Sequence, residues 1–407
     1  MKQTVLDKFL RYVAIDTQSS EETGASPSTE KQKDLGRMLY QELVDMGASD
    51  VYFDEEHCYV YAAIPATDGG KKEQVLGFVA HMDTSPAVSG KDVKPLIWEN
   101  YDGSDLTLNE DTILSTKQFP EILALCGKTI VTTDGTTLLG ADDKAGVAEI
   151  MTMAEYLLTH PELPHGKIVI GFTPDEEIGS GVAYFDQDRF GANVAYTVDG
   201  GELGELEYEC FNGAAVEIEI HGVSVHPGSA KDKMINAALV AMELESMLPP
   251  MAKPEHTEGY EGFFYLCHIQ GDTEKAVMSY IIRDHDRALF EEKKALMVDV
   301  VAKLNEKYGE GCVSVTIEDS YYNMKEMIEP DYMFLIENAK QAMEELGVTP
   351  KVCPIRGGTD GAMLSYRGLP CPNLCTGGAN FHGRFEYACV DDMATIVSLL
   401  IKLACEY

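Results

Sequence analysis

The sequence predicts an α/β protein, a mostly parallel sheet flanked by helices, into which a second domain of β-α-β-β-α-β order is inserted. Three observations carry this reading. Short continuous apolar runs at Val75–Ala80, Ile168–Thr173 and Val194–Val198 read as strands buried on both faces, with helical spacing over Lys144–Thr159 between the first two. At Phe211 the pattern changes, and Ala214–Ile220 alternates apolar residues with glutamates, as a half-exposed strand does. The three buried runs also end in charge, at His81-Met82-Asp83, Asp175-Glu176-Glu177 and Asp199.

Taken in order, Val5–Ile15 has apolar residues at 5, 6, 9, 10, 13 and 14 and predicts a helix. Residues 17–29, rich in Ser, Thr, Glu and Gly, read as a loop. Thr29-x-x-Gln32 is a capping-box pattern that opens a helix with Leu35, Met38, Leu39, Leu43 and Met46 on one face, ended by Gly47. Strands follow at Val60–Ile64 and Val75–Ala80, residues 90–137 read as irregular, and Lys144–Thr159 is a helix before the strands Lys167–Thr173 and Val194–Val198. In the second domain a helix at Met234–Leu248 follows the first strand. Strands Phe263–Gln270 and Ala276–Arg283 then flank the hairpin signal Gly271-Asp272-Thr273-Glu274, and Arg287–Lys307 and Val313–Ile317 complete the order. The expected boundaries are 209–321 for the inserted domain, with 1–208 and 322–407 forming one discontinuous domain.

Composition narrows the function. A chain of 407 residues fits two domains, each with a real core. Its net charge of −36, from 68 acids against 32 bases, repels a phosphate backbone and an anionic membrane. No apolar run approaches the roughly 20 residues of a spanning helix. The start lacks the apolar core of a signal peptide, so a cytoplasmic protein is expected. The ten cysteines are scattered, without a CxxC, and read as reduced thiols.

Ligand sites in open α/β sheets form beyond the C-terminal ends of strands. His81, Glu176, Glu177 and Asp199 all fall there, with Gly140-Ala141-Asp142-Asp143-Lys144 between them and His382 in Gly377–Gly383 near the C-terminus. Two histidines and several carboxylates suffice for two divalent cations with a carboxylate left over as a base. Residues two apart on an extended segment point the same way, so Asp83 can lie behind His81 and take its second N–H. Adjacent strand residues point oppositely, so Glu176 and Glu177 are expected to have different jobs, and one of Asp142 and Asp143 can sit between two ions. Arg283, ending a strand, and Arg356, preceding Gly357-Gly358-Thr359-Asp360, are candidates for a substrate carboxylate. His57, His160, His165, His221, His256, His268 and His285 lack a cluster and read as structural or exposed.

These residues resemble the superfamily of dinuclear-zinc exopeptidases that includes carboxypeptidase G and succinyl-diaminopimelate desuccinylase. The shared marks are His81-Met82-Asp83, Gly140–Lys144, Asp175–Glu177, Asp199 and His382. Within it the chain is similar over nearly its whole length to the peptidase T family, the tripeptide aminopeptidases, through Ala80–Pro86, Leu138–Gly146, Phe172–Gly179 and His226–Lys231. The resemblance implies two zinc ions per chain. His81, Asp142 and Asp199 would hold one and Asp142, Glu177 and His382 the other, with Asp142 bridging. It implies Glu176 as general base, Asp83 as the residue orienting His81, and a cis bond at Asp142–Asp143. It also implies His226 as the oxyanion donor and likens the turn after Arg356 to the family's substrate loop. The inserted domain is expected to act as a lid, and Arg283, Arg356 and Asn380 are the expected substrate-binding residues. The implied partners are short peptides, with no nucleic acid and no membrane. The oligomeric state is left open, a homodimer being allowed. Two rivals stand beside the tripeptidase: a dipeptidase or N-deacylase (amidohydrolase) on the same fold, and a metal-binding protein without chemistry. A spare base beside the metals argues against the last.

Overall fold

Continuous apolar runs become buried strands because both faces of a central parallel strand are covered. In the computed structural model, which describes residues 1–71 and 74–406, the runs form Leu76–His81, Ile168–Thr173 and Val194–Gly200. The eight-stranded sheet has the order 49–53, 60–64, 168–173, 76–81, 194–200, 373–375, 205–207, 351–352. Strands 168–173, 76–81, 194–200 and 373–375, at its centre, run parallel, and the pairings of 49–53 with 60–64 and of 60–64 with 168–173 are antiparallel. All the ends that carry the charged clusters therefore point the same way.

The helix Ala141–Thr159 is apolar nearly all round and accordingly buried, packed against the His81 and Asp199 strands and against helices Lys2–Val13 and Val390–Glu406. Gly146 makes that approach possible. A Cβ there would lie 1.8 Å from the Val198 carbonyl oxygen and 2.5 Å from Asp143 Oδ1. On another face of the sheet Tyr59, Tyr61, Val79, Val169, Phe185, Phe190 and Leu364 form a core cluster. Burying such side chains contributes about 1.5–3 kcal/mol each.

Glu149 departs from this apolar packing. It is fully buried on the same helix, and neither carboxyl oxygen has a hydrogen-bond partner among the described residues. Burial, with a smaller effect from the Asp392 charge, holds its carboxyl well above the usual carboxylate range. The folded chain thus keeps a proton that the unfolded chain sheds above its ordinary pKa of about 4.3. This group's stability contribution is complete below that value and is lost as pH rises toward the folded pKa. Glu149→Gln is expected to flatten that fall, which thermal unfolding of the metal-free protein at pH 5 and pH 8 would show. An unchanged slope would count against the assignment.

Residues 209–325 and 354–358 form a second compact unit, apart from Met1–Tyr208, Glu326–Cys353 and Thr359–Tyr407. Its strands lie in the order 263–271, 275–284, 212–221, 313–321, all antiparallel, with helices Ala237–Met247 and Arg287–Tyr308. This is the ferredoxin-like arrangement. Both helices start where a side chain caps them: Asn236 accepts from the Leu239 N–H and Asp286 from the Leu289 N–H. Val216, Ile218, Ile220, Val240, Leu244, Met278, Ile282, Phe290 and Leu304 make its own core.

Three expectations of the fold differ from the structure. The Thr29–Gln32 capping box does not form: Thr29 Oγ1 donates to the Gln18 carbonyl, and Gln32 Nε2 reaches Asp175 Oδ1 at 2.7 Å. Residues 90–137 are not irregular throughout. Strands 96–98 and 130–132 join 378–379 and 387–389 in a second four-stranded sheet, over a small core of Tyr101, Leu108, Leu114, Ile122, Ile130 and Tyr387. The short edge and parallel strands 49–53, 351–352 and 373–375 carried too few residues for a periodic signal. Finally, residues 322–325 and 354–358 belong with the second unit. Asn323 Oδ1 accepts from the Cys210 N–H and its own N–H donates to Asn212 Oδ1, both at 3.0 Å, and the Ile355 N–H donates to the Glu209 carbonyl at 2.8 Å.

Candidate metal centre

His81 closes its strand, and its ring is held from behind. Nδ1 lies 3.1 Å from the Asp83 carbonyl oxygen and 3.3 Å from Asp83 Oδ1, so Nδ1 carries a proton toward Asp83 and Nε2 is turned to Asp142 Oδ1, 2.9 Å away. Asp83 has no solvent exposure, and its two oxygens also accept the backbone N–H groups of Glu176 (3.0 Å) and Glu177 (3.3 Å). One carboxylate therefore positions a histidine and the acidic turn together.

That turn is not strand. The strand ends at Thr173, Asp175 takes a left-handed φ of 54°, and Glu176–Ile178 is a single 3-10 turn. Asp175 is held by the Ser28 N–H and the Gln32 amide, each at 2.7 Å. The two glutamate side chains diverge because the turn separates them, not because a pleat alternates them. Glu177 Oε2 is 2.9 Å from His382 Nε2, while the Glu176 carboxylate has no hydrogen-bond partner among the described residues.

Asp142 stands at the middle of the cluster, and the Asp142–Asp143 peptide bond is cis, as expected. Its Oδ1 is 2.9 Å from His81 Nε2, and its Oδ2 is 2.9 Å from His382 Nε2. Asp199 Oδ1 joins the first group, 3.4 Å from His81 Nε2. Two donor sets thus form, one on each oxygen of Asp142: His81 with Asp199, and His382 with Glu177. Donors around a tetrahedral zinc, each at about 2.0–2.1 Å, stand roughly 3.3 Å from one another. The separations of 2.9–3.4 Å fit that geometry. Asp143 also comes within 4.8 Å of His81 and Asp199. Both its oxygens are already engaged, by the N–H groups of His81 (3.1 Å) and Gly146 (3.2 Å).

The electrostatics show the same demand for cations. Burial pushes the Glu177 carboxyl up to about 7 and Asp199 up to about 6. Burial also holds Glu176 well above the usual range, aided by the charges of Asp199, Asp360 and Glu177 and opposed by His81. Hydrogen bonds to Asp142 and Glu177 push His382 up to about 11. Burial would raise Asp142 too, but the bonds from His382 and His81 hold it well below the usual carboxylate range. Glu177 Oε1 is buried and has no partner. A crowd of buried carboxylates that keeps protons for want of positive charge is a donor set suited to divalent ions.

Beside Glu177 and His382 opens a cleft of about 660 Å³, walled by residues 18–22, Thr29, Lys31 and Ser85–Ala87. Asn380, in the His382 turn, donates to the Phe385 carbonyl at 3.2 Å and so shapes the turn. His226, Arg283 and Arg356 lie in the second unit. His226 is exposed, and its Nδ1 accepts the Gly228 N–H at 3.1 Å. Arg356 is spent on the carbonyls of Thr257, Gly259 and Glu261 and lies over the rings of Phe211 and Phe263. Arg283 donates to the Arg356 carbonyl at 3.2 Å, and its Nε is buried without a partner.

Residues not singled out by the sequence reading also hold the site. Asn373 Oδ1 accepts the Asp199 N–H at 3.1 Å, and its Nδ2 donates to Glu207 Oε2 at 2.7 Å. Glu207, with Glu205 and Cys353, forms a further group of ligand-type atoms at the sheet edge. Asp360 is buried, accepts from Thr173 Oγ1 at 2.6 Å, and is pushed up to about 7 by burial. The Gly-Gly-Thr-Asp run was the one signal for Asp360; nothing local marks Asn373 or Glu207.

Residues 137–406 match the model of Peptidase family M20/M25/M40. The chain belongs to that family, and it is a peptidase, a hydrolase of peptide bonds. Among its curated relatives, a protein named Peptidase T from Clostridium novyi is 56% identical over 403 residues, with 98% of each chain covered. Another of that name, from Alkaliphilus oremlandii, is 54% identical over 404 residues, again with 98% of each covered. Among solved structures, the aminopeptidase PepT of Bacillus cereus superposes with a TM-score of 0.78 over 100% of this chain and 98% of that one. A protein described as a dinuclear metal binding peptidase from the M20 family, from Bacillus subtilis, superposes with a TM-score of 0.66 over 100% of this chain and 98% of that one. At 23% and 14% identity these two structures bear on the fold alone.

Proposed function

We propose that the chain is a zinc-dependent aminopeptidase that releases the N-terminal residue of tripeptides, with Glu176 as general base. The observation that carries the reading is the pair of imidazoles on the two oxygens of Asp142, with an unengaged carboxylate, Glu176, beside them. His81, Asp142 and Asp199 would hold one ion and Asp142, Glu177 and His382 the other. When bound, two such cations acidify a shared water, from a pKa of 15.7 to about 7, and polarise the scissile carbonyl. Glu176 takes the proton of the attacking water and returns it to the leaving amine. Its carboxyl, which burial holds well above the usual carboxylate range, suits a group that must both take and give a proton. Asp83 keeps His81 in the one tautomer that presents a lone pair at Nε2.

Further features support the aminopeptidase reading. A substrate ammonium needs carboxylates, and Glu21 and Glu22 stand on the wall of the cleft beside Glu177. A substrate carboxylate needs a cation with donors to spare. Arg283 retains a buried, unpartnered Nε, whereas Arg356 is engaged by backbone carbonyls and acts by shaping the loop under Arg283. The Gly228 N–H on Nδ1 puts the His226 proton on Nε2, an exposed donor of the kind a developing oxyanion requires. The ten free cysteines suit a reducing compartment, the cytoplasm. Among the described residues no helix is long and apolar enough to cross a membrane.

The test is turnover of di-, tri- and tetrapeptides by zinc-loaded protein. Tripeptides are expected to be cleaved fastest, because a dipeptide is too short to engage both terminal contacts and a longer chain misplaces its carboxylate. Amidating the tripeptide C-terminus should lower kcat/KM by roughly 10–100-fold, the value of a charge-assisted contact of about 1.5–3 kcal/mol. In the same assay His226→Ala should lower kcat without changing zinc content. Equal turnover of acid and amide would refute carboxylate capture, and faster cleavage of tetrapeptides, or of N-acyl amino acids, would replace the tripeptidase with another amidohydrolase.

A further inference from the structure

We propose that Glu386 is a positioning residue for the metal centre: its buried carboxylate clamps the turn that carries Asp142 to the segment that carries His382, and so sets how tightly the two share an ion. The proposal rests on the metal-centre reading above. Glu386 is 1% exposed. Its Oε2 accepts the N–H groups of Leu139 (2.7 Å) and Gly140 (2.9 Å), and its Oε1 accepts the N–H of Asp142 (3.1 Å).

These are backbone donors in the turn that leads into the helix ending at Thr159: Gly140 has a left-handed φ of 82° and no side chain, and Asp142 and Asp143 themselves lie outside helical φ/ψ. Buried N–H groups of such a turn need acceptors, and an anionic carboxylate serves several of them at once. Here the anion comes from a residue 244 positions from Asp142 along the chain. The other end of the clamp is equally fixed. Glu386 lies four positions after His382 and directly precedes the strand Tyr387–Cys389, which pairs with Gly378–Ala379 on one side and Ile130–Thr132 on the other. The His382 turn is thus held at both ends by that sheet, and Glu386 is the side chain that ties it to the Asp142 turn.

The consequence is specific to the shared ligand. Asp142 must present one oxygen to each of two histidines, at 2.9 Å in both cases. A small rotation of its turn improves one contact only by spoiling the other. Outer partners that orient metal ligands are worth about 10–100-fold in metal affinity.

Glu386→Gln removes the second acceptor oxygen. Whichever way the amide lies, its NH₂ opposes a backbone N–H of the turn. Zinc titration of metal-free protein against a chromogenic chelator is expected to show affinity lowered by about 10–100-fold. The visible spectrum of the cobalt-loaded variant should shift, and kcat at saturating zinc should fall more than KM changes. A variant with a lowered melting temperature but unchanged zinc affinity and cobalt spectrum would make Glu386 a helix cap and overturn the proposal. If Glu386→Gln does not fold, Glu386→Asp, which keeps the charge and shortens the reach, is read by the same titration and the same two outcomes. Wild-type protein that takes up no metal in this titration would instead remove the reading on which the proposal stands.

Discussion

Glu176→Ala is expected to lower kcat by about 10²–10⁴-fold, the range for loss of a general acid–base group, and to leave two metal ions per chain in place. The local structure allows the side chain to go without moving the site. The turn is anchored by main-chain bonds, from the Glu176 and Glu177 N–H groups to Asp83, and these do not involve the Glu176 carboxylate. That carboxylate meets no hydrogen-bond donor among the described residues, whereas Glu177 meets His382 at 2.9 Å. Elemental analysis after dialysis against trace zinc and steady-state kinetics on the same sample decide the matter. Near-normal kcat in the metal-loaded variant would assign the base elsewhere. Loss of metal along with activity would make Glu176 a ligand.

The parts of this site legible in the sequence are those where chemistry and chain position coincide. A strand buried on both faces is written as a continuous apolar run, so its end is visible, and charge at that end stands out. His81, Asp199 and the acidic turn were found in this way. Opposite directions for Glu176 and Glu177 were expected from strand alternation, yet the two stand in a 3-10 turn after a left-handed Asp175. The domain order was readable because alternation in 212–221 survives as a strict buried–exposed pattern. The supports were not readable. Asn373, Glu207 and Glu386 act on atoms far away in sequence, and two of them act on backbone N–H groups, which every residue but proline has. No residue type marks such a partner. Arg356 shows the converse: a charged residue in a suggestive motif whose donors are taken by carbonyls of its own unit.

Asp142→Asn should have the widest effect on the metals, and comparison with its neighbours tests whether it bridges. The change preserves size but leaves one oxygen and one NH₂, so one of the two histidine-centred donor sets must face a donor in place of an acceptor. Since altering outer partners alone costs about 10–100-fold, replacing a shared ligand is expected to weaken zinc binding by more than about 100-fold and to abolish turnover. The other ligands serve one set each. Asp199 meets His81 at 3.4 Å, and Glu177 meets His382 at 2.9 Å. Asp199→Asn and Glu177→Gln are therefore expected to retain about one ion per chain under dialysis that leaves about two in the wild type, while Asp142→Asn retains close to none. The fold should survive all three changes, because the core beneath the site is apolar and the turn's backbone is held by Glu386 rather than by Asp142's own side chain. Circular dichroism of each metal-free variant checks this before its zinc is counted. If Asp142→Asn keeps one ion while Asp199→Asn loses both, the sharing runs through Asp199 and the assignment of the two donor sets must be redrawn.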